Sequence, residues 1–336
     1  MKNFDKLIVS SRIRLARNMA RVPFASKKIG EFEPIANTIL DKNPGFVVAS
    51  IATLKPQMAK ALSEQHLISR MLLENRHNGM LVVDNTTKEE LSESARRICI
   101  MLGEEDHIRI QCIEIGLNLN SAYKVAKKIA NDIEKVHALA KNELGYLTRC
   151  LTNVGSGMRA SVMLFLPALS ITGKMKEILK SLRTQHITIR GVYGEGSEAG
   201  GNMYQISNQS TISWGDDEIL QTVHDVTTNL AKMEMDAQGK LFKEKPDMII
   251  DQVCRSWGIL TNAHMLTSDE AVEHLVWLKL GTTLDIIKFK NNRIIDDLFF
   301  LIQPATLMVK QAITPIERDK ARAKQVKEIL TTTRVK

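Results

Sequence analysis

The sequence predicts an α+β chain in two parts. Three observations support this. Strand-like and helix-like runs alternate up to about residue 235, strand signals vanish beyond 243–246, and everything after that follows helical spacing. The expected domains are residues 1–238 and 239–336, with 243–246 as a linker. Of 336 residues, 44% are hydrophobic and 25% charged, the balance of a soluble globular protein. The longest apolar run, 162–169, contains Pro167 and is too short to span a bilayer. Residues 1–6 lack the apolar core of a signal peptide. A cytoplasmic chain with no membrane partner is expected.

Taken in order, Leu7-Ile8-Val9 reads as a short strand delivering Ser10-Ser11-Arg12-Ile13-Arg14-Leu15-Ala16-Arg17-Asn18. In an extended chain Arg12 and Arg14 point to one side. They make either a planar fork for phosphate oxygens or two solvated arginines on a strand edge. Residues 35–68 follow a mostly helical pattern. His66, near its end, suits a structural histidine as well as a ligand contact. Residues 78–87 read as a turn and the strand Met80-Leu81-Val82-Val83, after which Thr87 and Glu90 have capping-box spacing.

Gly103-Glu104-Glu105-Asp106-His107 precedes a strict alternation, with Ile108 and Ile110 against Arg109 and Gln111, which marks a half-buried strand. Three consecutive carboxylates repel unless a cation is shared. The run is an acidic turn, or a site that holds a substrate cation and takes its proton. Residues 121–144 make the strongest helix, apolar on Val125, Ile129, Val136 and Leu144. Cys150 follows, between Arg149 and Arg159 and before a glycine-containing turn, the electropositive setting that activates a thiol. Arg159 opens the next apolar segment, where a helix N-terminus would favour an anion.

Residues 174–182 suit a short helix. The stretch 190–201, Arg-Gly-Val-Tyr-Gly-Glu-Gly-Ser-Glu-Ala-Gly-Gly, carries five glycines and reads as a loop between strands at 187–189 and 203–206. Arg190 at its root and Glu195 and Glu198 toward its tip suit an anionic ligand and a basic group together. An ordinary surface loop has the same composition. An amphipathic helix is expected at 216–235, then helices at 247–257, 268–280 (stopped by Gly281), 296–309 and 317–330.

Cys99, Cys112, Cys150 and Cys254 form no CxxC pair, so neither a disulfide framework nor a protein-held metal is expected. The net charge is +8. From residue 301 onward, eight Lys or Arg against three acids supply +5 of it. That suggests an anionic partner. No nucleic-acid motif is present and no direct nucleic-acid contact is expected; a nucleotide or a phosphorylated protein would serve.

Five arginines in motif-like settings suit a triphosphate. Paired glutamates suit a guanidinium, binding it and removing a proton so that nitrogen attacks phosphorus, chemistry that is mostly positioning and charge stabilisation. No Walker A loop is present. The stretches Ser-Ser-Arg-Ile-Arg-Leu-Ala-Arg-Asn, Glu-Glu-Asp-His-Ile-Arg-Ile, Cys-x-Thr-Asn-Val-Gly, Arg-Ala-Ser-Val and Arg-Gly-x-x-Gly-Glu follow one another. In those motifs and their order the chain resembles the ATP:guanido phosphotransferases, over about residues 7–235.

The resemblance implies an antiparallel β-sheet flanked by helices, glutamine-synthetase-like, followed by an all-helical C-terminal domain. It implies ATP as donor, with Mg2+ bridging the phosphates. Arg12, Arg14, Arg109, Arg159 and Arg190 resemble the arginines on the phosphates. Ser10, Ser11 and Ile13 share the first binding segment; Ala160, Ser161, Val162 and Met163 follow Arg159; Gly191, Val192, Tyr193 and Gly194 lead to Glu195. His66 resembles the histidine beside the adenine. Glu105 and Glu195 resemble the carboxylates that hold and deprotonate the guanidinium, and Cys150 the reactive thiol beside it; Glu198 takes no role. Two positions depart from the family: Leu151 stands where Pro is usual, and Gly103 where Asn is usual.

Arginine and creatine kinases carry a helical domain before the first arginine motif. Here that motif begins at Ser10, so the expectation is an open site that admits an arginine within a protein. The region 238–336 also resembles the bacterial protein-arginine kinases of the McsB type. Arg318-Asp319-Lys320-Ala321-Arg322-Ala323 matches their RDxxRA motif, which binds phosphoarginine and regulates activity, although a charged helix face would look the same. The resemblance therefore implies a kinase acting on arginine side chains of proteins, marking them for a Clp-type protease, with an McsA-like activator. A homodimer or higher oligomer is compatible with it. A kinase for free arginine, or a non-catalytic binder of phosphoarginine or nucleotide, are the alternatives.

Overall fold

Period-two alternation in β1 (Ile8–Arg17) organises the molecule. Ile13 and Leu15 are fully buried on one face, while Ser10, Arg12 and Arg14 lie half-buried on the other. The structure, a computed structural model, describes residues 4–26, 28–84, 96–192, 200–212, 214–291, 293–311 and 313–335, the side chain of Arg183 excepted. β1 is a central strand of an eight-stranded sheet. On one side follow β5 (Ile108–Ile115), β4 (Arg97–Leu102), β3 (Met80–Asp84) and β2 (Phe46–Ser50); on the other follow β8 (Met158–Phe165), β10 (Met203–Asn208) and β9 (Ile187–Gly191). Every pairing is antiparallel. A two-residue hairpin, β6 (Lys141–Asn142) with β7 (Gly145–Tyr146), stands apart.

Helices cover the apolar face. α4 (Leu119–Glu134) packs on β1 and β5, and α7 (Asp216–Glu244) packs on β8 and β10. The helical spacing of Ala122, Ala126, Ile129 and Ile133 puts all four on the buried stripe of α4. Each fully buried Ile or Leu on the facing strands contributes roughly 1.5–3 kcal/mol. α1 (Ile29–Lys42) lies against α4, α5 (Pro167–Ile171) against α7, and α6 (Met175–Arg183) against β9. On the opposite face a second, small core joins Leu81, Cys99 and Met101 to Ile51, Leu67, Ile68 and Leu72. Those last three belong to the segment that carries α2 (Pro56–Glu64) and α3 (Arg70–Glu74). This core ends at β4, and the face of β5, β1 and β8 beyond it carries the arginines.

The last third of the chain is helical: α8 (Pro246–Asn262), α9 (Ser268–Thr283), α10 (Ile294–Leu301), α11 (Pro304–Gln311) and α12 (Arg318–Thr333). Its buried residues, Val253, Leu275, Phe299 and Val326 among them, belong to the same cluster as Ile13 and Leu164 of the sheet. Just before α10, Arg293 donates to the carbonyls of Ile8 (2.9 Å) and Val9 (3.0 Å). The β1–β8 register shifts between Ile8 and Ser10, and the Val9 carbonyl also receives the Gly116 amide. A bulge there re-aims the residues that follow. It leaves Ser10, Arg12 and Arg14 on the open face. Among the described residues no helix is long and apolar enough to cross a membrane.

Several expected elements are corrected. The mostly helical stretch 35–68 is interrupted: α1 ends at Lys42 and the β-branched run from Phe46 forms β2 before α2 begins. The helix expected at 121–144 ends at Glu134, and Val136 and Leu144 are exposed. Beyond it the chain pairs with Asn18 and Ala20 instead. α7 runs through residue 239, and only Lys245 separates it from α8. Gly281 does not stop α9: a Cβ there would lie 2.8 Å from Val253 Cγ1, so glycine permits close packing on α8. The helix expected at 296–309 is two helices, α11 opening on Pro304. Arg159 lies on strand β8, not at a helix N-terminus. Thr87 and Glu90 lie outside the described residues.

Candidate active site

Strand register brings the five arginines to one face. Residues opposite each other in antiparallel strands share a side of the sheet. Arg14 pairs with Gln111 and with Arg159, Arg12 with Ile113 and Ser161, and Ala16 with Arg109. Met163 pairs with Gln205, which pairs with Arg190. Arg12, Arg14, Arg109, Arg159 and Arg190 therefore project from the same side of four strands. Arg12, Arg14 and Arg190 line a cleft of about 890 Å³, closed on its far side by the segment from Lys60 to Glu74.

Alternation also corrects the expected contacts. The side chains of Ser11, Ile13, Ala160 and Val162 turn into the core on the helix side, so they cannot line the cleft. Ser11 donates to the Gly116 carbonyl (2.6 Å) and accepts from the Asn118 amide (2.8 Å). Ser10, Ser161 and Met163 do share the arginine face. Ser161 Oγ accepts from Arg12 Nε at 3.5 Å, and Gln205 Oε1 accepts from Arg12 Nη2 at 2.7 Å. Ser207 Oγ accepts from Arg159 Nη2 at 2.8 Å.

These partners are neutral. Among the described residues, Arg109 alone of the five is paired with carboxylates. Burial first, and then Arg159, lowers Arg12 to about 10. Burial, then Arg190 and Arg109, lowers Arg159 to about 10. Arg14 is held well below the usual arginine range by burial, then by Arg12 and Arg159, and its buried Nε has no hydrogen-bond partner among the described residues. A cluster of buried like charges with an orphaned donor is costly unless an anion completes it.

The acidic turn resolves into three separate roles. Glu104 is buried and accepts from Ser69 Oγ (2.5 Å) and Arg109 Nη1 (2.6 Å). Asp106 is buried and accepts from Asn18 Nδ2 (2.7 Å) and the Arg149 amide (2.9 Å). Glu105 remains, its side chain 28% exposed, oriented by Arg109 Nη2 at 3.0 Å. Gly103 takes φ +76°, where a Cβ would lie 2.8 Å from the Asn78 carbonyl. Glycine meets both the left-handed backbone and the close approach of Asn78 here. Arg149 Nη1 reaches the Glu105 carbonyl at 3.4 Å, which brings the next residue, Cys150, to the same corner. Its sulfur lies 3.0 Å from Thr152 Oγ1.

His66 lines the cleft in a left-handed conformation (φ 59°), its carbonyl accepting from Gln111 Nε2 and its ring edge-on to Phe300. Burial, then Arg12, Arg97 and Arg14, lowers it to about 3, so the ring is neutral. Gly191 and Val192 line the cleft too, and the Val192 amide donates to Met203. Tyr193, Gly194, Glu195 and Glu198 lie outside the described residues. Glu64 and Gln303, which carried no signal in the sequence, also line the cleft.

The Arg318–Ala323 stretch opens α12, far along the chain. Arg322 is fully buried, donating to Leu266 O (2.6 Å), Ile302 O (2.9 Å) and Asp319 Oδ1 (2.6 Å). Ala323 is buried, Arg318 and Asp319 are half-buried and Lys320 is exposed.

Residues 31–237 match the family described as ATP:guanido phosphotransferase, C-terminal catalytic domain. Residues 246–336 match the family described as protein-arginine kinase McsB C-terminal domain. The protein-arginine kinase of Bacillus pumilus is 40% identical, over 96% of this chain and 90% of that protein. The protein-arginine kinase of Caldanaerobacter subterraneus is 39% identical, over 97% of this chain and 98% of that protein. The crystal structure of a lombricine kinase superposes with a TM-score of 0.56 over 70% of this chain and 68% of that one. At 23% identity, that likeness speaks for the fold.

Proposed function

The chain belongs to the ATP:guanido phosphotransferases and, within them, to the protein-arginine kinases; from that membership we propose that it transfers the γ-phosphoryl of ATP to arginine side chains of proteins. The observation that carries the reading is the arginine face, four of whose five guanidinium groups have no carboxylate partner among the described residues. A triphosphate supplies the missing charge and the acceptor for Arg14 Nε. Glu105, held by Arg109, receives the acceptor guanidinium, and Glu195 is its proposed second carboxylate. Together they orient the nitrogen toward the γ-phosphorus and take its proton as the N–P bond forms and the bond to the ADP oxygen breaks. Cys150 sits beside that guanidinium. His66, neutral, offers a ring to the adenine.

Among the described residues no group of three His, Cys, Asp or Glu side chains could hold a metal ion. Magnesium would be carried in on the nucleotide's phosphate oxygens. There it would neutralise developing charge. Residues 1–238 are the proposed catalytic unit and 239–336 the helical one. In the latter the accessible Arg318 and Asp319 would meet a phosphoarginine, while Arg322 sets the helix ends around them. Cytoplasmic location, delivery of marked proteins to a Clp-type protease, an McsA-like activator and a homodimer or higher oligomer complete the proposal.

The test is incubation with ATP and either an arginine-rich protein or free arginine, followed by mass spectrometry at neutral pH. Acid-labile phosphate should appear on protein arginines and be lost in Glu105→Gln. Phosphate on free arginine alone would refute the protein substrate.

A further inference from the structure

Three large apolar side chains stand in solvent on the segment that holds Cys150 and on two segments bonded to it. Leu151 is 76% exposed, Leu144 60% and Ile212 40%. Single exposed apolar residues are ordinary on a protein surface, but these three occupy segments that are bonded together. The Tyr146 and Gly155 backbones exchange hydrogen bonds at 2.7 and 3.1 Å. Thr211 donates from its amide to Thr152 O (3.1 Å) and from its hydroxyl to Val154 O (2.8 Å). At Gly155 (φ +110°) a Cβ would lie 2.7 Å from Thr211 O and 3.4 Å from Leu144 O. Glycine at this point lets the backbones of the three segments approach closely.

We propose that Leu144, Leu151 and Ile212 form a docking surface for apolar side chains flanking the target arginine in an extended segment of the acceptor protein. The inference rests on the protein-arginine kinase reading and adds a sequence preference to it. Two features favour this occupant. The patch is continuous with the acceptor corner, because Leu151 adjoins Cys150 and Arg149 bonds the Glu105 backbone. Charge also matches: the Glu105 carboxylate takes the guanidinium, and side chains one or two positions away fall on apolar surface. An extended chain advances about 3.3 Å per residue, so such neighbours land within about 7 Å of the arginine. Leu151, where the family usually has proline, supplies the largest exposed fraction of the three.

The experiment compares kcat/KM on two short synthetic peptides, one with leucines on both sides of a central arginine and one with serines. Wild-type protein should prefer the leucine peptide by about tenfold, the scale of one partly buried aliphatic side chain. In Leu151→Ser, Ile212→Ser and the double variant that ratio should fall toward one, with ADP binding retained as the check on folding. An unchanged ratio in the variants, or no preference in the wild type, overturns the proposal. So does a changed sedimentation coefficient at constant ratio, which would give the patch to a second copy of the chain. If the wild type phosphorylates free arginine but neither peptide, the kinase reading itself fails, and that outcome is separately readable.

Discussion

Glu64 ends α2 on the cleft wall, and its carboxylate accepts three hydrogen bonds from the first turn of α11: Ala305 N at 2.9 Å, Thr306 N at 2.7 Å and Thr306 Oγ1 at 2.9 Å. The first amides of a helix have no partner within it, and an anion there is also favoured by the helix dipole. Glu64→Ala removes an acceptor shared by three donors, which costs about 1–3 kcal/mol. The consequence for function follows from what adjoins α11. Gln303 lines the cleft, and Phe300 meets the His66 ring at 5.8 Å. Without Glu64 the wall carrying His66 loses its tie to those residues. If about 1.4 kcal/mol of the loss is expressed in nucleotide binding, KM for ATP rises tenfold while kcat stays within about twofold. The melting temperature should fall by a few °C, roughly 1–2 °C per kcal/mol for a chain of this length. Glu64→Gln keeps one acceptor oxygen and should fall between. Steady-state phosphotransfer across ATP concentrations, with thermal melts on the same samples, reads both effects. A lowered melting temperature with KM unchanged would refute the link between helical region and cleft; no change in either would show the three bonds to be without value.

Arg14→Gln should raise or leave unchanged the melting temperature of nucleotide-free protein, because it removes a buried guanidinium repelled by Arg12 and Arg159. It should also lower kcat/KM by about a hundredfold or more. A clear fall in melting temperature would mean that Arg14 has a partner. Glu234 is fully buried and accepts from the amides of Ala168 and Leu169 and from Gln238, yet burial outweighs these donors and raises it to about 7 from 4.5. With the folded value above the unfolded one, its stabilisation is complete below about pH 4.5 and is lost as pH rises through about 7. Between pH 5 and 8 the wild type should therefore lose about 1–3 kcal/mol more than Glu234→Gln, read as diverging melting temperatures. Parallel pH profiles would contradict that assignment.

What was legible in the sequence was local. Alternation placed Arg12 with Arg14, and Arg109 opposite Ile108 and Ile110, because side-chain direction in a strand depends only on position along it. The order of the motifs identified the family. What was not legible depends on register between distant strands. That Arg109 and Arg190 share a face follows only from a chain of pairings through β5, β1, β8, β10 and β9. Which of Glu104, Glu105 and Asp106 stays available also depends on remote partners, since Ser69 and Asn18 engage the outer two. A motif specifies a segment rather than a side chain, so it includes the inward-facing Ile13, Ala160 and Val162 with their neighbours. The five-residue strand from Phe46 is obscured by helical patterns on both sides. The end of α4 was misplaced because Val136 and Leu144 continue its apolar spacing in solvent.

The junction between α10 and α11 shows why the helical region cannot be treated as an appendage of the sheet. Its residues face two directions at once. Gln303 lines the cleft and Phe300 meets the His66 ring on its wall, while Ile302, between them, gives its carbonyl to Arg322 of the α12 motif. Arg322 is also bound to Leu266 O and Asp319, so it cannot follow a displaced junction without breaking a bond to one of them. On the other side, Arg293 holds the bulge that aims Arg12 and Arg14. The same short stretch of chain thus holds the strand that carries Arg12 and Arg14, supports the wall beside His66, and anchors Arg322 of α12. Packed interiors move between discrete arrangements rather than deforming smoothly. A shift in any one of these contacts is therefore shared by the other two, and the geometry of the cleft is a property of the whole chain.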